Sequence, residues 1–546
     1  MSAASLLHDR FARPSLALAA SLLVLLVVPP IRVDAGSGDL DSSFGAGGKV
    51  ITPLGFGGSV EALATQPDGK IIAAGGSASR EIYSADDFAL ARYNIDGGLD
   101  KSFGSDGIVQ TDFFGDQDYI NAVALQSDGK IVAAGRARRG TDIYFGLARY
   151  NIDGSLDATF GVGGKVITSF AGYGDDAHAL VIQADGKILV GGRAGDISKT
   201  LPGEFTIDFA MSRYNEDGSL DASFGAGGKV MSEFDGLIVR LALQPDGKII
   251  AAGTITTRDT NSDFAVARYN TDGSLDASFG AGGKVTTDFN KWADLLSGLA
   301  LQADGKIVVC GDVDPPDPLN HDSQPGLVRY NPNGSLDPTF GSGGKVIATG
   351  NFSAAGALAL QDNGKIVVAG LDSIPGRGAK FGLARYTASG SLDPSFGEGG
   401  MITTSFLGSG SFAFALALLP DGRIVAGGET YSPGSGSGFA LARYNNADDR
   451  FDVHLRDDNG RCLLRLNSTT GEYLFTDCDS GFTLAGTGAL RVRGCKMNLE
   501  DSGAGYSLWA KVNTCALTGR ASLQVRSQGK TFAIRARDIT NALPPC

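Results

Sequence analysis

Histidine, tryptophan and methionine are scarce in this chain, with four, two and five copies in 546 residues. Beyond the N-terminal segment only His178, His321 and His454 occur, each alone in its neighbourhood. No imidazole cluster is therefore at hand for a metal or for a nucleophile–base pair. Also missing are a Gly-x-Ser-x-Gly elbow, a His-Glu-x-x-His helix and a phosphate-binding loop. What these absences leave for catalysis is carboxylate chemistry, in which two acids distant in sequence converge in one funnel. A surplus of positive charge is lacking too. The net charge of -13 excludes nucleic acid, whose phosphates need Lys and Arg to displace counterions, and it excludes a polybasic membrane patch. A cation, a sugar or a basic protein surface stays compatible. After residue 30 no apolar run approaches membrane length.

The first residues read as a targeting segment. Arg10 and Arg13 precede an apolar run, Leu16 to Val28, broken only by Ser21. The run is short for a bilayer span and fits a signal-peptide core. Pro29 and Pro30 end it, and Val33-Asp34-Ala35 supplies small residues at a cleavage site. The expectation is cleavage after Ala35, export to the cell envelope or beyond, and no transmembrane anchor afterwards. An uncleaved anchor is the alternative.

Internal repetition dominates what is present. The phrase Leu-Asp-x-(Ser/Thr)-Phe-Gly starts at Leu40, Leu99, Leu156, Leu220, Leu275, Leu336 and Leu392, at spacings of roughly 55 to 64 residues. An Asp-Gly-Lys turn keeps step, with its glycine at Gly69, Gly129, Gly186, Gly247, Gly305, Gly364 and Gly422, as does an Arg-Tyr pair. Asn363 and Arg423 depart from the turn pattern, and Ile108 stands where a lysine usually follows the glycines. Within the fifth copy four strand-like runs appear, Lys284 to Asp288, Leu299 to Gln302, Lys306 to Gly311 and Gly326 to Tyr330. Four short strands repeated seven times predict a radially closed sheet array that leaves only short edges. The expected fold is all-β: a seven-bladed β-propeller of four-stranded antiparallel blades over residues 36–447, then a small cysteine-containing β-domain at 448–546. A linear solenoid repeats in shorter coils, and a lone unit of this size has too little core.

At these residues the chain resembles the delta-60 repeat proteins, a bacterial group of β-propellers. The resemblance rests on Leu-Asp-x-Ser-Phe-Gly-x-Gly-Gly-Lys-Val, Gln-Pro-Asp-Gly-Lys-Ile and Ala-Arg-Tyr-Asn-x-Asp-Gly-Ser, and covers about residues 38 to 447. It implies the fold. It brings no activity with it.

Antiparallel blades send successive loops to opposite faces. The Asp-Gly-Lys turn and the Asn-x-Asp-Gly-Ser-Leu-Asp turn then share one nearly constant face, and the variable loops share the other. Variable loops on a rigid scaffold are where binding residues tend to sit. The candidates there are Asp116, Asp118 and Tyr119; Asp175, Asp176 and His178; Trp292 and Asp294; and Asp314, Asp317, His321 and Asp322. Drift of unselected loops is the plain alternative. A carboxylate- and aromatic-lined funnel suits a sugar or a cation. The phrase from Asn94 to Asp100 looks like a calcium loop, but alignment on its glycine puts Arg92 and Phe103 where an EF-hand needs oxygen. It reads as an Asx-held turn, leaving other calcium geometries open and no cofactor expected.

Arg92, Arg149, Arg213, Arg268, Arg329, Arg385 and Arg443 sit among apolar strand residues, so each needs a carboxylate, and the aspartates of the Leu-Asp phrase, Asp41 to Asp393, recur in step. These arginines are expected to be structural. So are Phe44, Phe103, Phe160, Phe224, Phe279, Phe340 and Phe396, as wedges between blades. After Asn445 the repeat stops, and Cys462, Cys478, Cys495, Cys515 and Cys546 appear as disulfide candidates, one of them left over. No Cys-x-x-Cys spacing favours zinc. Cys310 replaces a usual alanine in a strand and is expected to be a buried thiol. The expected role is an exported binding scaffold for an unknown protein or carbohydrate ligand, not an enzyme. An extracellular enzyme acting on a carbohydrate or ester, and a purely structural surface protein, are the alternatives.

Overall fold

The computed structural model describes residues 37–446 except 56, 79–85, 171–173, 197–205, 258–260, 290–291, 315–322, 349–351, 374–377, 407–409 and 433–435, and gives the backbone of strands between 453 and 540. The expected signal segment, Asp317, His321 and Asp322 lie outside the described residues. Among the described residues no helix is long and apolar enough to cross a membrane.

Residues 49–444 form five four-stranded antiparallel sheets and one seven-stranded sheet. The long strand Lys229–Leu243 explains the larger one: Lys229 to Asp235 pair with the third strand of one unit, and Gly236 to Leu243 pair with the second strand of the next. The units are numbered here in chain order, the third and fourth sharing that strand. In the first, an inner strand Gly57–Thr65 is followed by Ile71–Ala78, Asp86–Tyr93 and an outer strand Ile108–Thr111.

Composition tracks position. The second strand is a continuous apolar run, as in Ile71-Ile72-Ala73-Ala74, all fully buried, because both of its faces are covered. Each apolar cluster joins two consecutive units: Ile72, Ala74, Phe88 and Leu90 of the first pack with Ile120, Ile131, Ala133 and Tyr150 of the second. Another cluster joins Val425, Phe439 and Leu441 of the seventh unit to Val60, Ile71 and Ala89 of the first. The core is therefore a set of layers between sheets, and the array closes on itself.

Closure uses the chain start. Lys49–Pro53 pairs with Gly436–Tyr444 and becomes the outer strand of the seventh unit. The sequence copy is thus offset from the sheet by one strand. Lys284–Thr287, which begins the fifth copy, is the outer strand of the fourth unit. The split turn at the junction is rebuilt from both ends. Asn445 N donates to Asp39 O at 2.8 Å and Gly38 N to Asn445 O at 2.7 Å, where the unbroken first turn has Asn94 N to Gly98 O at 2.8 Å and Gly97 N to Asn94 O at 2.9 Å.

Between 453 and 540 the backbone forms two five-stranded antiparallel sheets, one running from Ala489–Arg493 to Lys530–Ala536 and one containing Cys462–Leu466. Cys478, Cys495, Cys515 and Cys546 fall outside the described residues, as does the side chain of Cys462.

Candidate functional site

On the constant face every unit carries the same polar cluster. Arg92 Nε donates to Asp100 Oδ2 at 2.8 Å, its Nη2 reaches Ser102 Oγ, and its Nη1 donates to the Ile152 carbonyl of the next unit. Lys70 from the Asp-Gly-Lys turn lies 3.0 Å from the same carboxylate. The guanidinium rests 4.5 Å from the Phe103 ring centroid, and Phe103 is fully buried. The arginine thus ties its own turn to its neighbour's. Arg149 with Asp157, Arg213 with Asp221, Arg268 with Asp276, Arg329 with Asp337, Arg385 with Asp393 and Arg443 with Asp41 repeat the pair at 2.7–2.8 Å. In the sixth unit the neighbour's carbonyl is replaced by Ser37 Oγ and Asn446 Oδ1, one group from each side of the split turn. In the seventh, Arg423 stands in for the turn lysine on Asp41. Burial alone would raise the pKa of Asp41. The Ser43 hydroxyl and the Arg443 charge outweigh it and hold the carboxyl at about 2. These groups are spent on one another. The Asn94–Asp100 segment is a turn in which Gly98 N donates to Asp96 Oδ1 at 2.9 Å.

On the opposite face, Asp118, Asp175 and Asp294 are fully buried. Each accepts a backbone N–H five residues upstream, from Phe113, Phe170 and Phe289, at 2.7–2.8 Å. They brace the connection between an outer strand and the next inner strand, so they are placed to hold the loop rather than to meet a ligand. Burial pushes Asp118 and Asp175 up to about 6 and Asp294 up to about 7. Carboxylate oxygens of Asp118 with Asp87 and Asp112, and of Asp294 with Asp263 and Asp288, lie within 4.8 Å of one another. Asp116 accepts Gly140 N at 2.6 Å, and Asp314 accepts the Ser323 hydroxyl at 2.7 Å. Trp292 is exposed.

Tyr119, Asp176 and His178 are on inner strands rather than in loops, which brings them to the central channel. A local irregularity aims the side chains. Every inner strand has a β-bulge, and in six units the residue it leaves unpaired is Glu61, Asn121, His178, Val239, Ser297 or Phe414; the sixth unit has two, at Ser353 and Gly356. A bulge turns an extra side chain out of the ladder. The second strand makes room for it with a glycine. A Cβ on Gly75, Gly135, Gly192, Gly253, Gly311, Gly370 or Gly428 would meet an inner-strand carbonyl oxygen at 1.8–2.1 Å.

The residue after that glycine differs in every unit except two: Gly76, Arg136, Arg193, Thr254, Asp312, Leu371 and Glu429. Arg136 Nη1 reaches the Tyr119 hydroxyl at 3.3 Å, and Arg193 lies 3.5 Å from Asp176. His178 Nε2 lies 3.4 Å from the same carboxylate. Asn121 Nδ2 donates to the Ala177 carbonyl at 2.7 Å. Burial raises the pKa of Glu61, against the Ser59 hydroxyl, Arg240 and His178, and burial with Glu61 raises that of Glu429. Phe412 stacks on Phe414 at 4.4 Å. The channel wall is charged and hydrogen-bonding in the first three units, carries Asp312 in the fifth, and joins an aromatic pair to Glu429 in the seventh. Cys310 is buried and forms no disulfide among the described residues, its thiol pushed up to about 12 by burial.

Glu61, Asn121, Arg136, Arg193 and Glu429 were not legible as site residues, since each sits inside a strand-like run. The signal that finds them is the glycine that recurs as the fifth residue of the second strand in every unit.

Seven segments, residues 66–103, 126–160, 203–224, 244–279, 302–340, 361–396 and 419–453, match the family described as "Domain of unknown function (DUF5122) beta-propeller". No curated protein is detectably similar in sequence. Among solved structures, a protein of unknown function from Dyadobacter fermentans DSM 18053 is similar at 11% identity, covering 72% of this chain and 97% of its own, with a TM-score of 0.39. The polysaccharide lyase Uly1 is similar at 13% identity, with 74% and 92% covered and a TM-score of 0.41. A putative 6-phosphogluconolactonase from Bacteroides uniformis ATCC 8492 is similar at 16% identity, with 66% and 95% covered and a TM-score of 0.33. At these levels no activity transfers.

Proposed function

The chain carries DUF5122 β-propeller repeats across residues 66–453, and from that premise we propose that it is an exported, seven-bladed, delta-60-type scaffold that binds a ligand at the channel mouth on its variable face. One observation carries the reading. Constant-face side chains are consumed in seven near-identical Arg–Asp clusters, whereas the bulge positions and their second-strand neighbours hold different chemistry in nearly every unit. Recognition needs such differences, and a scaffold needs the uniformity. Export follows from the N-terminal segment, and the tail serves as a stabilising or attachment module. The chain acts by binding and not by turnover.

A second reading, a carbohydrate-active enzyme, is favoured by the Asp176–His178 pair beside Tyr119 and Arg193, since an acid–base pair next to a cation is what such chemistry uses. A glycan array combined with melting curves, with and without calcium, separates the readings. A saturable rise in melting temperature with one glycan supports binding. Release of product from a glycan supports the enzyme, and silence across glycans, calcium and protein partners leaves a purely structural role.

A further inference from the structure

We propose that the channel mouth holds the carboxylate of an acidic sugar, with Arg136 and Arg193 as the pair that grips it. This names the ligand class of the site above and rests on the binding reading.

The two arginines occupy the same register position in consecutive units, each directly after the bulge glycine, Gly135 and Gly192. They are the only arginines among the seven residues at that position. Arg136 reaches the Tyr119 hydroxyl, and the charges of Arg193 and Asp176 both act on that same group. Their state contrasts with that of the constant-face arginines. There Nε has an aspartate at 2.7–2.8 Å and both Nη atoms have partners, as at Arg92. At Arg136 and Arg193 the Nε atoms are buried with no hydrogen-bond partner among the described residues, and the contacts made by the Nη atoms are long, at 3.3 and 3.5 Å. A guanidinium presents five donors in a planar fork matched to a carboxylate. The Nη ends of these two forks, in consecutive units, make only long contacts of their own, and one belongs to a side chain about a third exposed; together they form the oxyanion grip.

What surrounds the grip fits a sugar ring better than a bare anion. Asn121 and His178 supply hydrogen-bonding groups on neighbouring inner strands. The Tyr119 ring, with Arg136 5.7 Å from its centroid, offers a flat aromatic face for ring C–H groups, and the stacked Phe412 and Phe414 offer another across the first unit. Asp176, a buried carboxylate in long contact with Asn121, His178 and Arg193 at 3.4–3.5 Å, orients the groups that would meet the sugar.

The test is isothermal titration of the mature full-length chain with glucuronate, galacturonate, glucose, galactose and inorganic sulfate. It is run on the wild type, Arg136→Gln, Arg193→Gln, the double variant and Arg139→Gln. Arg139 is an exposed guanidinium 5.6 Å from the Phe114 ring centroid and serves as the control. Melting temperature checks folding of each variant. Expected are binding of a uronate and not of its neutral counterpart, a loss of about tenfold for each single variant and about a hundredfold for the double, and no change for Arg139→Gln. Equal binding of acidic and neutral sugars, or uronate affinity indifferent to both arginines, overturns the carboxylate grip. Sulfate binding as tight as uronate overturns the sugar. If the glycan array finds a neutral ligand at the mouth, this inference falls while the binding reading stands. If nothing in the array or these titrations binds there, this inference falls, and silence from calcium and protein partners as well brings down the binding reading too.

Discussion

Removing one hydroxyl from each of two equivalent tyrosines should have opposite consequences. In six units the tyrosine of the Arg-Tyr pair is buried and hydrogen-bonds across to the outer strand of the preceding unit: Tyr93 to Thr52 at 2.7 Å, Tyr150 to Thr111 at 2.9 Å, Tyr214 to Thr168 at 2.7 Å, Tyr269 to Ser232 at 3.1 Å, Tyr330 to Thr287 at 2.8 Å and Tyr444 to Thr404 at 2.8 Å. At Tyr386 the hydroxyl is buried with no partner among the described residues, because the position equivalent to those hydroxyl residues is Ala348, just past the outer strand Lys345–Ile347. A buried hydrogen bond contributes about 1 kcal/mol net, while an orphaned polar group costs about 1–3 kcal/mol. Tyr330→Phe loses the bond and orphans Thr287, a cost of about 2–3 kcal/mol. Tyr386→Phe removes a group already orphaned and should be neutral or stabilising by about 1 kcal/mol. At roughly 1 °C per kcal/mol for a chain of this size, calorimetry should show Tyr330→Phe melting about 2–3 °C lower and Tyr386→Phe unchanged or higher. Ala348→Thr should raise the wild-type melting temperature, and Ala348→Val, with the same shape but no hydroxyl, should not. If Tyr386→Phe is as destabilising as Tyr330→Phe, the hydroxyl is satisfied and the reasoning fails.

Gly192→Ala should destabilise by about 3 kcal/mol or more, since its Cβ would meet the Asp176 carbonyl oxygen at 1.9 Å; an unchanged denaturation midpoint would contradict the bulge. Arg213→Lys keeps the charge but loses the fork to Asp221, Ser223 and the Thr271 carbonyl and should cost about 2–4 kcal/mol by urea titration. Stability should peak near pH 4–5. Asp118, Asp175 and Asp294, raised to about 6, 6 and 7, keep protons that the unfolded chain has lost above about pH 4, so stability falls as pH rises from about 4 to 7. Asp41, Asp221 and Asp393, held at about 2, contribute stability that is lost as pH falls from about 4 through 2. Melting curves from pH 2 to 8 check this, and Asp294→Asn should flatten the decline on the neutral side.

The identical features were the legible ones. Repeated Leu-Asp, Asp-Gly-Lys and Arg-Tyr phrases mark turns and a buried ion pair, because one physical solution recurs with the same residues. The strand offset was hidden, since Lys284–Thr287 begins a copy in sequence but pairs backwards in space. Asp118, Asp175 and Asp294 read as loop acids because acids in loops usually face water; nothing in sequence shows that each folds inward onto an N–H five residues earlier. Tyr119, Asp176 and His178 stand out by their chemistry, but the sequence pattern places them in loops, and the bulges that send Glu61, Asn121 and His178 to the channel leave only a glycine one strand away as their trace.

The account turns on the ring being closed by its own beginning. Hydrogen–deuterium exchange on the mature chain tests this at Lys49–Pro53, the strand that pairs with Gly436–Tyr444. The amides of Lys49–Thr52 should exchange as slowly as those of the equivalent outer strand Ile108–Thr111. Exchange at the rate of an unstructured segment, with the rest of the chain still protected, would contradict it.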